Sequence, residues 1–176
     1  GVPIQPLIYG GAQEKKKRAG TENIPGIVGL GLAVELAVSE MEVETKRLVH
    51  LRDKLIHGIL ESIPYSRLNG HPTERLPGNS NISFTYIEGE SLLLLLDAVG
   101  VAASSGSACT SGSLDPSHVL MAIGLAHEVA HGSLRLTLDR DNTEEEVQFI
   151  LDKLPGIVQK LRDMSPLYEE IANKKA

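Results

Sequence analysis

The feature that most constrains this chain is a long stretch of helical periodicity in its first half. Apolar residues recur at helical spacing from Ile27 to Ile59, Pro25 stands where a first helical turn tolerates proline, and Pro64 ends the pattern. The spacing predicts one helix over residues 25–62, which at about 1.5 Å per residue would be on the order of 50 Å long. A helix of that length is too long for a small isolated domain, so we expect it to connect two bodies.

Composition and charge exclude several classes of protein. The chain has 176 residues, a normal apolar content of 41% and a net charge of −6, so general disorder and electrostatic nucleic-acid binding are both disfavoured. Aromatic residues make up only 3%, which disfavours base-stacking surfaces. No uninterrupted apolar run has the roughly 18 residues of a membrane span, and no signal peptide opens the chain. We therefore expect a cytoplasmic protein with no membrane partner.

The remaining two-thirds of the chain alternates between helix and strand signals. In residues 133–138 the alternation is strict and places leucines on one face and Arg135 and Thr137 on the other. Residues 65–79 are rich in turn formers, and a capping signal at Asn142 or Thr143 precedes a final helix that Pro155 is expected to kink. The order predicts an α+β domain whose sheet is covered on one side. The predicted strands are 81–87, 101–103 and 133–138, and the predicted helices are 90–99, 116–123 and 142–164.

The most informative stretch surrounds the single cysteine, Cys109. All residues from 104 to 113 are small, so none can anchor a core, whereas a structural cysteine normally packs among large apolar side chains. Thiolate chemistry needs access and a lowered pKa, which a nearby cation or a helix N-terminus supplies. Taken alone, the segment leaves two interpretations open: a functional thiol, and an incidental cysteine in a Gly/Ser loop.

Three histidines follow the cysteine: His118, His127 and His131. No spacing marks any of them as the base of a cysteine nucleophile. The last two have the form H-E-x-x-H of zinc metalloproteases, but that motif needs a longer helix, and Gly132 follows at once. We therefore expect no metal site, and interpret these histidines as surface or loop residues.

Several motifs together closely resemble the NifS/IscS-type cysteine desulfurases, in particular their C-terminal half. The resemblance runs over nearly the whole chain, from about residue 10 to residue 167. The most specific motif is the cysteine segment together with the strand that carries Arg135. The motifs are SSGSACTSGS at 104–113, LDPSHVL at 114–120, GSLRLTL at 132–138, RAGTEN at 18–23, GESL at 89–92 and RDMSPL at 162–167.

The resemblance implies a homodimeric pyridoxal-phosphate enzyme of the type I aminotransferase fold. Such enzymes convert L-cysteine to L-alanine and leave a persulfide on the protein. Cys109 matches the nucleophile that attacks the substrate sulfur and then carries it to an acceptor, often an iron–sulfur scaffold protein. Arg135 matches the arginine that binds the substrate carboxylate, for which a bidentate guanidinium is suited. Thr21 matches the threonine that reaches the cofactor phosphate of the other subunit, and the region from about Arg162 resembles the part where scaffold proteins dock.

The resemblance also implies a missing half. The family's Schiff-base lysine stands in a Ser/Thr-x-His-Lys segment, and the lysines at 15–17 lack that context. We therefore expect the chain alone to be inactive. Residues 1–62 are predicted to form an N-terminal arm and the connecting helix at the edge of the absent large cofactor domain, and residues 63–176 the small domain with the cysteine loop. Because the chain begins with Gly1 and not Met, we expect either a fragment or one half of a split enzyme that an N-terminal half completes.

Two positions depart from the family pattern. Ala12 stands where a third glycine is common, and Asp139 stands where glycine is common. Continued alternation would put the Asp139 carboxylate on the same face as Arg135, where it would compete for the guanidinium. The alternative function is a non-enzymatic sulfur-relay or interaction module that uses Cys109 without a pyridoxal-phosphate site of its own.

Overall fold

The structure, a computed structural model, describes residues 2–105 and 116–169. The chain divides into two compact units, Gly1–Glu42 and Val43–Ala176, and the division falls inside the long helix. The predicted domain boundary between residues 62 and 63 stays a prediction.

The first unit holds a short turn and the start of the long helix. The turn is α1 (Gln13–Lys16), and its Glu14 and Lys15 take left-handed backbone angles, with φ of 50° and 54°. The long helix is α2 (Ile24–Ser62), which confirms the predicted helix. Asn23 caps it, because its Oδ1 accepts a hydrogen bond from Gly26 N at 3.1 Å.

The first half of α2 carries apolar side chains that are open to solvent. An 18-residue window of this helix has a mean hydropathy of 1.5, and none of that window is buried. By length and composition such a helix could cross a membrane, although core helices of soluble proteins pass the same test. No uninterrupted apolar run marks it in the sequence, because charged residues such as Glu35 interrupt the pattern. The apolar side chains there that are 44–66% exposed are Ile24, Ile27, Val28, Leu30, Leu32, Val34, Leu36, Val38 and Met41.

The second unit is an α+β domain built on a three-stranded antiparallel sheet in the order β1–β2–β3. The pairing sets Arg67 opposite Ser83, and Asn81 opposite Arg135. The strands are β1 (Ser66–Leu68), β2 (Asn79–Phe84) and β3 (Ser133–Thr137). The helices are α3 (Gly89–Asp97), α4 (His118–Ala122), α5 (His127–His131) and α6 (Glu144–Asp163), with the second half of α2.

One face of the sheet forms the core with three helices. Alternation points Ile82 and Phe84 of β2 and Leu134 and Leu136 of β3 to this face, and all four are buried. They join a single cluster of buried residues from α2, α3 and α6, and each fully buried leucine or phenylalanine contributes about 1.5–3 kcal/mol. The helices therefore cover this face as expected, whereas the opposite face is only partly open, because Ser83 and Ser133 on it are also buried. The helical members of the cluster are Leu51, Leu55, Ile59, Leu92, Leu96, Val147, Ile150, Leu154 and Val158.

The final helix has the predicted cap. The Thr143 side chain accepts from Glu146 N at 3.2 Å, and the Glu146 carboxylate accepts from Thr143 N at 3.1 Å, which is a capping box. The helix runs through Pro155 to Asp163, and the kink stays a prediction. Before it, Arg47 of α2 secures the turn after β3 by donating to three backbone carbonyls, those of residues 139, 140 and 142, at 3.3, 2.7 and 2.7 Å.

Two of the strand predictions were wrong: one strand has different bounds, and the other is absent. The predicted strand at 81–87 lies at Asn79–Phe84, because Tyr86 takes a left-handed φ of 72° that ends the extended backbone. Residues 101–103 form no strand, and within residues 2–105 and 116–169 the pairing on that side is a single bridge between Ser104 and Arg135. The stretch predicted as turns contains β1, three residues too short to show a periodic pattern.

Candidate functional site

Arg135 lies on the outer face of β3, as the alternation predicted. It is exposed, whereas Leu134 and Leu136 on either side are buried. Within residues 2–105 and 116–169, no hydrogen bond or ion pair engages its guanidinium. An arginine with its donors unoccupied is suited to bind a carboxylate from outside the protein.

The chain that leads into the cysteine segment is attached to the strand at Arg135. Ser104 N donates to Arg135 O at 3.2 Å, and Arg135 N donates to Ser104 O at 2.6 Å. One residue further on, the Ser133 hydroxyl donates to Ser105 O at 2.7 Å. These three bonds hold the entry to the cysteine segment, residues 104–105, against the edge of β3.

Two glycines allow this close packing. A Cβ built on Gly89, the first residue of α3, would lie 2.8 Å from His131 O, 3.0 Å from Ser105 Cβ and 3.1 Å from Ser133 O. A Cβ built on Gly132 would lie 2.1 Å from Phe84 O. Only glycine fits where α3, β3 and the entry to the cysteine segment meet.

Cys109 lies outside the described residues, so its role as nucleophile stays a prediction.

Asp139 does not occupy the Arg135 guanidinium. β3 ends at Thr137, so strand alternation does not extend to Asp139. Its carboxylate instead accepts a hydrogen bond from Arg140 N at 2.7 Å within the turn that follows. The expected competition is absent because the chain turns before the carboxylate can share the face.

Thr21 belongs to the first unit and is exposed just before α2. Arg18 organises the backbone around it by donating to Gly20 O at 2.5 Å and to Glu22 Oε1 at 3.2 Å. Gly20 N in turn donates to Gln13 Oε1 at 3.2 Å. The Thr21 hydroxyl has no hydrogen-bond partner in the described part of the chain, so it is available to a phosphate.

The histidines form no metal centre among the described residues. His127 and His131 lie at the two ends of the five-residue α5, with ring centroids 4.8 Å apart. In those same residues, no cluster of three or more His, Cys, Asp or Glu side chains has a geometry that could hold a metal ion. His118 is exposed at the start of α4.

Arg162 is buried at the end of α6 among three tyrosines. Its guanidinium lies 5.7 Å from the Tyr65 ring centroid and 5.5 Å from that of Tyr168, and Tyr86 packs against both rings. Desolvation lowers the pKa of Arg162, whereas the tyrosines raise it. The arginine thus anchors the segment after α6, which the resemblance associates with scaffold docking.

The sequence did not identify the polar residues beside Arg135. Asn81 is its direct neighbour on β2, and Asn69 donates from Nδ2 to Asn81 Oδ1 at 2.7 Å and to Ser83 Oγ at 2.8 Å. The polar alternation of β2 was visible in the sequence. Its register against β3 was not, because register follows from the assembled sheet.

Comparison with known proteins gives a consistent result. The model of the family described as aminotransferase class-V matches residues 7–150. The chain is 64% identical over 167 residues to "Cysteine desulfurase IscS" of Methanosarcina thermophila, a match that covers 95% of this chain and 41% of the relative. It is 56% identical to "Cysteine desulfurase IscS 1" of Archaeoglobus fulgidus, over 96% of this chain and 44% of that one. The chain thus spans about two-fifths of the length of these relatives.

Solved structures agree with the sequence relatives. A structure titled "NIFS-LIKE PROTEIN" superposes with a TM-score of 0.77 at 38% identity, and covers 92% of this chain and 40% of its own. A NifS-like protein from Rickettsia africae also has a TM-score of 0.77, at 28% identity, over 90% of this chain and 41% of its own.

Proposed function

The chain belongs to the class-V aminotransferase family, and from that membership we propose that it is the part of a pyridoxal-phosphate-dependent cysteine desulfurase that carries the sulfur-accepting cysteine. The resemblance to NifS/IscS-type enzymes and the pyridoxal-phosphate-dependent transferase fold are confirmed. The proposed reaction converts L-cysteine to L-alanine and places the sulfur on Cys109. We further propose that the enzyme is cytoplasmic and homodimeric, and that it passes the sulfur to an acceptor such as an iron–sulfur scaffold.

The observation that carries the proposal is the attachment of residues 104–105 to the backbone of β3 at Arg135. A nucleophile for the substrate sulfur must come close to the group that binds the substrate carboxylate. The two hydrogen bonds between Ser104 and Arg135 tie the start of the cysteine segment to that group. From residue 106 to residue 113 the sequence consists of small residues, and a reactive thiol needs the access that small neighbours permit.

In the proposed reaction Arg135 binds and orients the carboxylate of L-cysteine through its unoccupied donors. The Cys109 thiolate attacks the substrate sulfur, so that an S–S bond forms as the substrate C–S bond breaks. The bonding electrons remain on the substrate carbon, which takes up a proton and leaves as alanine. One thiol and one cysteine thus give one persulfide and one alanine, with no external oxidant. An acceptor thiol then attacks the outer sulfur of the persulfide and restores Cys109.

The cofactor supplies the electron sink that makes the substrate C–S bond cleavable. Of the described residues, Thr21 fits one contact to it, because its hydroxyl is exposed, has no described hydrogen-bond partner and is suited to donate to the phosphate. The lysines at 15–17 lie in or next to α1, whose left-handed residues hold them in an exposed turn. Such an exposed position does not suit a Schiff-base lysine, which is activated by burial, so we propose that this lysine comes from another part of the enzyme.

The test combines this chain with the part of a relative that it does not span. We expect the mixture with pyridoxal phosphate to gain the yellow absorbance of the bound cofactor and to release alanine from L-cysteine. Cys109→Ser should abolish alanine release and the mass gain of about 32 Da that marks a persulfide. Equal alanine release from the Cys109→Ser mixture would refute the assigned nucleophile.

Arg135→Lys provides a second test with a matched control. Lysine keeps the charge but loses the bidentate geometry, so we expect the KM for L-cysteine to rise roughly tenfold or more. Arg67→Lys is the control, since Arg67 is an exposed arginine on the same side of the sheet but lies on β1, opposite Ser83. Equal KM values for the two variants would contradict the role of Arg135.

The relay function predicts a different result. In that case Cys109 would gain a persulfide from a donor protein in a solution without pyridoxal phosphate, and the mixture described above would release no alanine. Mass spectrometry of Cys109 under both conditions distinguishes the two functions.

A further inference from the structure

The side of the sheet opposite the core is polar along all three strands. We call it the polar face. None of its strand residues is acidic, although the chain as a whole carries a net charge of −6. Ser83 and Ser133 on this face are buried, and the accessible residues are two arginines, two asparagines and a threonine, without a carboxylate, which is suited to an anionic ligand. Its strand residues are Arg67, Asn79, Asn81, Ser83, Ser133, Arg135 and Thr137.

Asn81 is the amide next to Arg135 on this face. The two residues are direct partners in the β2–β3 pairing, so their Cβ atoms lie about 4.5–5.5 Å apart and their side chains leave the sheet on the same side. Asn81 is only half-buried and Arg135 is exposed, so a small ligand can reach both.

A buried residue sets the orientation of the Asn81 amide. Asn69 is 4% exposed, its backbone N donates to Asn81 O at 2.8 Å, and its Nδ2 donates to Asn81 Oδ1 at 2.7 Å. Because Asn81 Oδ1 is turned toward Asn69 on one side, the Asn81 NH₂ group is turned away from it. No described residue accepts a hydrogen bond from that NH₂ group.

The hydrogen bonds of the Asn69 side chain leave one of its polar atoms buried without a partner in the described part of the chain. The Asn69 Oδ1 atom is buried without a hydrogen-bond partner among the described residues. Leaving a buried polar atom unpaired is unfavourable, and such atoms in native structures call for an explanation. The second bond of Asn69, from Nδ2 to Ser83 Oγ at 2.8 Å, holds its amide in the orientation that serves Asn81.

We propose that Asn81 is a second carboxylate-binding residue beside Arg135, and that Asn69 positions it. The inference rests on the proposed function, in which Arg135 binds the carboxylate of the amino-acid substrate. A carboxylate offers about four acceptor positions and a guanidinium fills two, so the Asn81 NH₂ group supplies a further donor. As a neutral amide, Asn81 adds this donor without competing with the ligand for Arg135.

The binding test uses the full chain and three small probes that differ in the carboxylate. L-Alanine and propionate carry it, and ethylamine is alanine without it. In ¹⁵N-labelled protein we expect the carboxylate probes to shift the Asn81 side-chain NH₂ signals and the Arg135 amide signal, and ethylamine at equal ionic strength to shift neither. Asn81→Ala should weaken alanine binding roughly tenfold, which is the usual effect of losing one hydrogen bond to a charged group. The binding is followed at the Arg135 amide signal.

Two further variants sharpen the test. Asn81→Asp keeps the acceptor for Asn69 but places a carboxylate beside Arg135, so we expect it to abolish binding of the carboxylate probes. Asn79→Ala is the matched control, because Asn79 lies on the same strand and face but opposite Thr137, and its affinity for alanine should be unchanged. Asn81→Ser, which is short and polar, replaces Asn81→Ala if the alanine variant does not give the folded spectrum.

The outcomes separate this inference from the proposed function. If alanine binds Asn81→Ala as tightly as the original chain while Arg135→Ala has lost binding, Asn81 is not a carboxylate ligand, and the proposed function stands. If no probe causes a carboxylate-dependent shift up to about 100 mM, both carboxylate assignments fail. The proposed reaction is still judged independently, by alanine release from the reconstituted mixture. There, Asn81→Ala should raise the KM for L-cysteine and leave kcat nearly unchanged, as expected for uniform binding.

Discussion

Gly89→Ala tests the packing that holds the entry to the cysteine segment. Gly89 is buried at the start of α3, and an added Cβ would meet His131 O at 2.8 Å, Ser105 Cβ at 3.0 Å and Ser133 O at 3.1 Å. Two of these atoms are backbone oxygens, one at the end of α5 and one at the start of β3, and they cannot move without disturbing the sheet. Overpacking of this kind costs about 1–3 kcal/mol.

The same substitution also has a stabilising effect, which must be subtracted from the steric cost. Alanine lowers the entropy of the unfolded chain and favours the helix, which together stabilise by about 0.4–1 kcal/mol. The steric cost outweighs this gain, because three contacts are violated at once and none of the three atoms is the far end of a flexible side chain. We expect a net loss of about 1–2 kcal/mol in the free energy of unfolding. For a unit of this size, that corresponds to a drop in Tm of about 3–8 °C.

Gly156→Ala is the matched control for this measurement. Gly156 lies inside α6, and an added Cβ there would meet nothing within 4 Å. With the gain and no steric cost, we expect Gly156→Ala to stabilise the protein by about 0.5–1 kcal/mol. Urea unfolding, monitored by circular dichroism and fitted with the same slope m for both variants, measures the free energy of unfolding. A Gly89→Ala protein as stable as the original chain, or more so, would refute the proposed close packing.

Four further substitutions test separate contacts. Arg47→Lys should lower Tm and speed amide exchange in the turn after β3, since lysine cannot donate to three carbonyls in that geometry; unchanged exchange would contradict this. Thr143→Ala should cost about 1 kcal/mol through the lost cap, measured by urea unfolding. Donation from the Asn142 side chain, and then from the Thr143 backbone, lowers the pKa of Glu146. Because the pKa of Glu146 is lower in the folded state, its carboxylate stabilises the fold fully above the unfolded-state pKa of about 4.3, and this stabilisation is lost as the pH falls through the folded-state pKa. In Glu146→Gln, the free energy of unfolding should therefore fall less steeply below about pH 5. Arg162→Ala should cost about 2–4 kcal/mol by leaving a cavity between three tyrosines, and an unchanged near-UV tyrosine spectrum would argue against that contact.

Agreement between sequence and structure is uneven across the elements. The long helix, the capping box at Thr143 and the outward position of Arg135 were predictable, because each depends on spacing within one segment. The strand at β1 and the end of β2 before Tyr86 were not predictable, because three residues carry no period and a left-handed turn has no strong signal outside glycine.

The candidate site shows the same division. The motif resemblance identified Cys109, Arg135 and Thr21 as candidates, and the position of the first lies outside the described residues. Asn81 was not predicted, because an asparagine in a strand does not indicate a binding role until its cross-strand partner is known. The interpretation of residues 101–103 as a strand failed because the pairing that shapes this segment involves a single residue, Ser104.

The amino-acid sequence alone was sufficient for the periodic elements and for identifying Cys109, Arg135 and Thr21 as candidates, since both depend on neighbours along the chain. The tertiary structure decided which of those residues meet. It set Asn81 beside Arg135, bound Ser104 to the far side of the same strand, and turned Asp139 away. These outcomes depend on sheet register and on where each strand stops, and both arise from packing between segments that are far apart in sequence.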